Sequence, residues 1–387
     1  MKIAMIGLRG LPASYGGVEK HVEEIGWRLA ADGHQVTVYC RPNYSADDLT
    51  VPADYNYEPP VGRTPGRYRG VMLRNLPTPG GKHLESTVHS GLSAIHTLRR
   101  RYDIVHFHAM GPGLFTPIPK LLSSATVVQT VHGLDDERAK WSLPARSMLR
   151  LGRSFSTFVP DEVIVVSRDL ARIYEQLHGR AATYIPNGAP KVTPIPPGPT
   201  LERFGLRPGY GLFLGRLVPE KQPDMLLRAF ARVPGDTQLV VVGDSSNTDA
   251  YAEEVRALAA ADPRVVLTGY LYGQALAEVM SSAGVFVQPS KLEGMPITLL
   301  EAAAYGLRVV VSDIAPHLEV VHRSLPGTRV FGHDSTADLA AALRAELADP
   351  DAGAANAAAL RAEVRSKFDW DVVTDQVLSV YRRSLAG

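Results

Sequence analysis

The segment Gly284-Val285-Phe286-Val287 … Glu293-Gly294-Met295-Pro296-Ile297-Thr298-Leu299-Leu300-Glu301 … Val309-Val310-Val311 holds an apolar run, a loop, a helical stretch and a second apolar run. That order of strand, loop, helix and strand is the unit of a parallel α/β sheet. Glu293 falls in the loop at the carboxyl end of the first strand, where open α/β sheets bind ligands. Glu301, eight positions on, is read as lying about two turns into the helix and sharing a face with its start. Backbone N–H groups around Gly294, Met295 and Pro296 then sit at the positive end of the helix and suit an anion. Two carboxylates beside an anion site point to a ligand with both hydroxyls and phosphate. A nucleotide sugar is such a ligand.

The same alternation extends in both directions. Upstream, strands are predicted at Ile3–Ile6, Gln35–Tyr39, Ile104–Phe107, Thr126–Val131, Val163–Val166 and Thr183–Ile185, with a helix over Val18–Ala31. Five prolines then fall within Pro190–Pro199, a composition that excludes helix and central strand and marks a linker. A second series follows at Gly211–Leu214, Gln238–Val242, Val265–Leu267, Val285–Val287, Val309–Val311 and Arg329–Phe331, and a last helix at Trp370–Leu385. Two βα series predict an α/β protein of two doubly wound, Rossmann-like domains, 1–190 and 209–368, joined by a Pro-rich linker at 191–208. The expected active site is the cleft between them.

Composition agrees. A chain of 387 residues exceeds the usual single domain, and 45% hydrophobic with 21% charged residues is ordinary for a soluble enzyme. The balance of 41 basic to 40 acidic residues carries no signature of nucleic-acid binding. One cysteine, Cys40, excludes a disulfide framework and reads as a packed core residue. The opening Met1–Ile6 is a first strand, too short for a signal peptide, and no apolar run approaches the roughly 18 residues of a membrane span. A cytoplasmic protein is expected.

Further candidates sit at other strand ends. Gly215-Arg216 with Glu220-Lys221 follows the first strand of the second domain; Arg216 offers a planar fork and Lys221 a point charge, together able to neutralise a diphosphate. Gly7, Gly10, Gly16 and Gly17 follow the first strand of the chain, where glycines let backbone N–H groups approach a phosphate or sugar. A dinucleotide-binding Rossmann enzyme is set aside, because G-x-G-x-x-G is missing and the second strand ends in Cys40-Arg41 where an acidic ribose ligand belongs. His106 and His108 share one face of a strand; with no third ligand apparent in sequence they are read as hydrogen-bonded histidines. His132, before Gly133 at a strand end, is read the same way when taken alone. Asp369-Trp370-Asp371 is read as a helix cap and Asp135-Asp136 as a solvated loop, so no metal is expected.

Taken together, Gly16-Gly17-Val18-Glu19, Thr130-Val131-His132-Gly133, Ile185-Pro186-Asn187-Gly188, Gly215-Arg216 with Glu220-Lys221, Val242-Gly243-Asp244 and Glu293 through Glu301 resemble the retaining glycosyltransferases of family four, with the GT-B fold. The resemblance implies a terminal helix, 369–387, that packs back on the first domain. It implies a metal-independent, retaining transfer of a hexose or deoxyhexose from a nucleoside-diphosphate sugar to a hydroxyl of a sugar or lipid-linked acceptor, with no cofactor. Arg216 and Lys221 then hold the donor diphosphate, Glu301 the ribose hydroxyls, and Glu293 with Gly294, Met295, Pro296 and Ile297 the transferred sugar. His132 lies near the reacting centre, Gly16 and Gly17 close over the phosphates, and Asn187 belongs to the donor set.

Two departures from the family pattern stand out, Ser245–Asp249 after Asp244 and Arg308 after Gly306-Leu307. The Thr130–Trp141 stretch resembles transferases of bacterial surface-polysaccharide assembly. Lys140, Arg146, Arg150 and Arg153, interleaved with apolar residues, suggest peripheral contact with an anionic membrane surface. The alternatives are a nucleotide-sugar epimerase of similar fold and a non-catalytic nucleotide-sugar-binding partner.

Overall fold

The computed structural model describes residues 1–13, 16–42, 55, 57–61, 64–78, 85–134, 143–245, 249–348 and 354–386, with backbone alone for 143–150 and 354. The chain divides into two compact units, Met1–Asn187 with Trp370–Gly387, and Gly188–Asp369. Each is built on its own sheet.

The first unit contains strands β1 (Lys2–Ile6), β2 (Gln35–Cys40), β3 (Gly66–Tyr68), β4 (Val71–Asn75), β5 (Ile104–His108), β6 (Thr126–Val131), β7 (Glu162–Val165) and β8 (Thr183–Tyr184). Their order is β3-β4-β2-β1-β5-β6-β7-β8, parallel throughout except for the β3–β4 hairpin. Inner strands such as β1 are near-continuous apolar runs because both faces are covered: Ile3, Ala4, Met5 and Ile6 are all fully buried. The helix Gly17–Ala31 buries Val22, Ile25 and Leu29, the spacing of one helical face. It also packs against the terminal helix Trp370–Ala386, where Arg28 Nε meets Asp371 Oδ1 at 2.6 Å. Trp370 and Tyr381 of that helix are buried within this unit.

The hairpin β3–β4 was not foreseen from sequence. Its turn, Arg69-Gly70, has φ of 48° and 83°, the two positive values of a turn that usually reads Asn-Gly. The Arg69 guanidinium lies over the rings of Trp27 and Tyr55, which holds an arginine in that conformation.

The second unit contains β9 (Gly211–Leu214), β10 (Leu239–Val242), β11 (Val265–Gly269), β12 (Val285–Gln288), β13 (Arg308–Ser312) and β14 (Thr328–Phe331) in the order β11-β10-β9-β12-β13-β14, all parallel. Phe213, Leu226, Phe230, Val241, Val287 and Leu343 lie in one core packed on this sheet. Residues 188–208 belong with this unit, and Pro199–Phe204 forms a short helix there. Proline at the first helical position gives up an N–H that has no partner anyway.

Both sheets reverse direction once. The first unit builds outward from β1 through β2, then crosses to β5 on the other side of β1; the second builds from β9 through β10 and β11, then crosses to β12. Ligands of open parallel sheets bind beyond the carboxyl ends of strands at such a reversal. Those reversals place the loops after β1 and β5, and those after β9 and β12, where a ligand of each sheet binds.

Candidate functional site

In the second unit, Lys221 reaches from the loop after β9 and Glu293 from the loop after β12. Lys221 Nζ donates to Glu293 Oε1 at 2.7 Å, with both side chains more than four-fifths buried. The same oxygen accepts from Gln288 Nε2 at 2.9 Å and from Ser290 Oγ at 2.8 Å. Burial pushes the Glu293 carboxyl up, but the Lys221 ammonium and the bonds from Lys221 and Ser290 outweigh it and hold it down to about 2. Gly215 makes room for this pair: a Cβ there would lie 2.9 Å from Lys221 Cδ. Lys291 N–H donates to the Glu220 carbonyl at 2.9 Å and ties the two loops together. Arg216, at the same sheet edge, is half-buried. Lys221 and Glu293 thus form one charged unit, not two independent contacts as the sequence suggested.

The helix after β12 runs over Ile297–Tyr305. Glu301 therefore sits about one turn in, not two, because Gly294-Met295-Pro296 stays outside the helix as a buried entry. Pro296 has no N–H, so the donors at this end come from Gly294, Met295, Ile297 and Thr298. Glu301 is half-buried. One neighbour escaped the sequence reading. His317 is fully buried, donates Nδ1–H to Ser312 (Oγ 2.9 Å, carbonyl 3.1 Å), whose own hydroxyl donates to the Ser290 carbonyl, and leaves Nε2 without a partner. Burial holds it down to about 4, against the pull of Glu293. Asp244, after β10, pairs with Arg256, and its carbonyl accepts from the Tyr270 hydroxyl at 3.1 Å.

In the first unit, the loops after β1 and β5 interlock. Gly7 has φ +116°, and a Cβ on it would fall 2.1 Å from the His108 carbonyl, so no side chain fits. Gly16 is extended and caps the helix Gly17–Ala31; both glycines are exposed. Around His108 the structure gathers what the sequence scattered. His106 is bonded at both nitrogens, Nδ1 to the Tyr381 hydroxyl at 2.6 Å and Nε2 to the Thr130 hydroxyl at 2.7 Å. His108 Nδ1 lies 3.3 Å from His132 Nε2. His21, from the helix behind Gly17, donates Nδ1–H to Asn187 Oδ1 at 2.8 Å, and its ring centre stands 4.7 Å from that of His132. Asn187 is buried in this contact. The third imidazole near the His106–His108 pair, not apparent in sequence, is present twice over, as His132 and His21. Burial lowers His21 to about 4 and keeps His106, His108 and His132 well below the usual histidine value.

Asp135-Asp136, the stretch to Trp141 and the side chains of Arg146 and Arg150 lie outside the described residues, as do Ser246, Asn247 and Thr248. No helix among the described residues is long and apolar enough to cross a membrane.

Comparison with known proteins adds to the geometry. Residues 15–191 match the family model described as Glycosyltransferase Family 4, and residues 209–349 the model described as Glycosyl transferases group 1. The α-maltose-1-phosphate synthase of Mycobacterium tuberculosis is 29% identical, with 100% of both chains covered. The D-inositol 3-phosphate glycosyltransferase of Mycobacterium avium is 28% identical over 96% of this chain and 89% of its own. Sucrose-phosphate synthase from Thermosynechococcus elongatus superposes with a TM-score of 0.79 at 22% identity, covering 100% of this chain and 99% of that one. HepE from Anabaena, solved in complex with UDP-glucose, gives 0.78 at 17% identity over 99% and 100%. These two structures share the fold, which is the GT-B fold expected from the sequence.

Proposed function

The chain belongs to the glycosyltransferases of family four, and from that premise we propose that it moves a hexose or deoxyhexose from a nucleoside-diphosphate sugar to a hydroxyl acceptor, with retention at the anomeric carbon. The observation that carries the donor class is the Lys221–Glu293 pair at the sheet reversal of the second unit, beside half-buried Arg216 and Glu301. Arg216 and the Lys221 ammonium face the diphosphate and stabilise the charge that builds on it as the glycosidic bond breaks. Glu301 accepts from the ribose hydroxyls. Glu293 holds Lys221 in place, and its carboxylate stands against the positive charge that develops on the sugar carbon. Neutral His132 offers a ring nitrogen to a hydroxyl of the substrate. The names of its relatives make a phosphorylated sugar or polyol the first acceptor class to test, and a lipid-linked acceptor of surface polysaccharide the second.

Mass spectrometry after incubation with a panel of nucleotide sugars, UDP-glucose first, and both acceptor classes is expected to show an acceptor extended by one sugar. Donor converted without any extended acceptor would make the protein an epimerase. No turnover of any donor would make it a binding partner. Retention is read from the anomeric proton coupling of the product.

Two further outcomes are expected. The Glu301→Ala variant should lose roughly ten- to a hundredfold in affinity for free nucleoside diphosphate, the value of a charge-assisted hydrogen bond of about 1.5–3 kcal/mol. Calorimetric titration checks this, and an unchanged affinity removes Glu301 from the ribose. Excess chelator is expected to leave turnover nearly unchanged, since Arg216 and Lys221 supply the countercharge. Loss of activity restored by magnesium or manganese would overturn metal independence.

A further inference from the structure

The histidine cluster of the first unit has a property that sugar transfer does not require. One ring nitrogen from each of His21, His108 and His132 lies within 4.8 Å of the others. Asn187 Oδ1 can only accept, so its bond fixes His21 as the Nδ1–H tautomer. The lone pair of His21 is therefore on Nε2, which is buried and without a partner. Such an orphan acceptor costs about 1–3 kcal/mol unless something binds it. His108 Nδ1 and His132 Nε2 stand 3.3 Å apart. Two nitrogens about 2.0–2.1 Å from one tetrahedral ion are separated by about 3.3–3.4 Å. An ion taken up there replaces the proton these rings share, which moves to the far nitrogen of its own ring. His106 is kept out of the set by its bonds to Thr130 and Tyr381, which use both of its nitrogens.

We infer that His21, His108 and His132 form a site for one divalent cation of borderline softness, zinc first, and that the bound ion withdraws His132 from sugar transfer. Neutral imidazole is the preferred ligand of such ions, and among the described residues the cluster contains no carboxylate to favour magnesium or calcium. Asn187 plays the part of the outer partner that orients a ligating imidazole through its second nitrogen. His132 is the partly exposed ring of the three. In the proposed site a water supplies the fourth ligand. Zinc at this place acts as an inhibitor, not as a cofactor.

Cobalt(II) titrated into the full chain tests the site without any sugar substrate. The expected result is one equivalent bound with the intense visible absorption of four-coordinate cobalt, displaced by zinc. His21→Gln and His108→Gln should each abolish that band, and Asn187→Ala should weaken cobalt binding roughly 10- to 100-fold. Intact protein that gives only the pale spectrum of aqueous cobalt overturns the site. The inhibitory half rests on the proposed transfer: UDP-glucose turnover should fall as zinc fills the site and return with chelator. Zinc bound with turnover unchanged would overturn that half and leave the site standing.

Discussion

Replacement of Glu293 by glutamine is expected to lower turnover roughly 10²- to 10³-fold, the range for losing one group pre-positioned against transition-state charge. The side chain keeps its shape and its acceptor for Ser290, but the negative charge opposite Lys221 is gone. The ammonium, already desolvated, is then left without its counter-ion, so stability falls by about 1.5–3 kcal/mol as well. The freed ammonium turns toward phosphate. Affinity for free nucleoside diphosphate should therefore hold or rise in this variant, while Glu301→Ala loses it. Lys221→Met combined with Glu293→Gln should recover part of the stability and none of the turnover. Steady-state kinetics, product titration and denaturant midpoints together read out the pattern. Equal weakening of diphosphate binding in the Glu293 and Glu301 variants would show that the two carboxylates do not divide the donor as proposed.

Mild acid is the second large lever. His21, His89 and His317 are each held down to about 4 by burial, and His106, His108 and His132 also lie well below 6.5. Above pH 6.5 these rings are neutral in folded and unfolded chains alike, so they leave stability unchanged. As pH drops below 6.5 the unfolded chain takes up protons that the folded one refuses. Each such histidine removes about 1.4 kcal/mol of folding free energy per pH unit until its folded value, near 4 for the three named first, is reached. Urea midpoints at pH 7 and pH 5 should differ steeply, by more than one proton's worth. The carboxylates play no part in that window: Glu24 and Glu293, both held at about 2, give up their contribution only as pH falls from 4.5 toward 2. A midpoint that stays flat between pH 7 and pH 5 would mean that the cluster is hydrated or protonated at neutral pH.

Among the described residues twelve of the fourteen strands were legible, most of them because parallel strands buried on both faces are uninterrupted runs of Val, Ile, Leu and Phe, as in Leu239–Val242. The hairpin β3–β4 was not, since its turn carries Arg69 where Asn is the usual signal. Lys221 and Glu293 could be named from sequence, each at a strand end, yet their mutual bond could not, because 72 positions separate them. His21 is the clearest omission. It sits one turn into a helix whose apolar face is built from its neighbours, and only the folded chain brings it to Asn187, 166 positions away. Local pattern reveals elements and loop ends; which loop ends meet is a property of strand order.

The first unit is closed by a helix made after the whole of the second unit. Trp370 and Tyr381 belong to its interior, and Tyr381 supplies one of the two bonds that satisfy buried His106. On the ribosome, residues 188–369 must be synthesised between Asn187 and Trp370. At about 5–20 residues per second that interval lasts on the order of ten to forty seconds. At its end the second unit has every strand of its sheet, whereas the first still lacks the helix that packs on Gly17–Ala31 and the hydroxyl that meets His106. Birth order is thus reversed in this protein: the half whose synthesis begins later has all of its residues first, and the half that begins first waits for Trp370–Ala386.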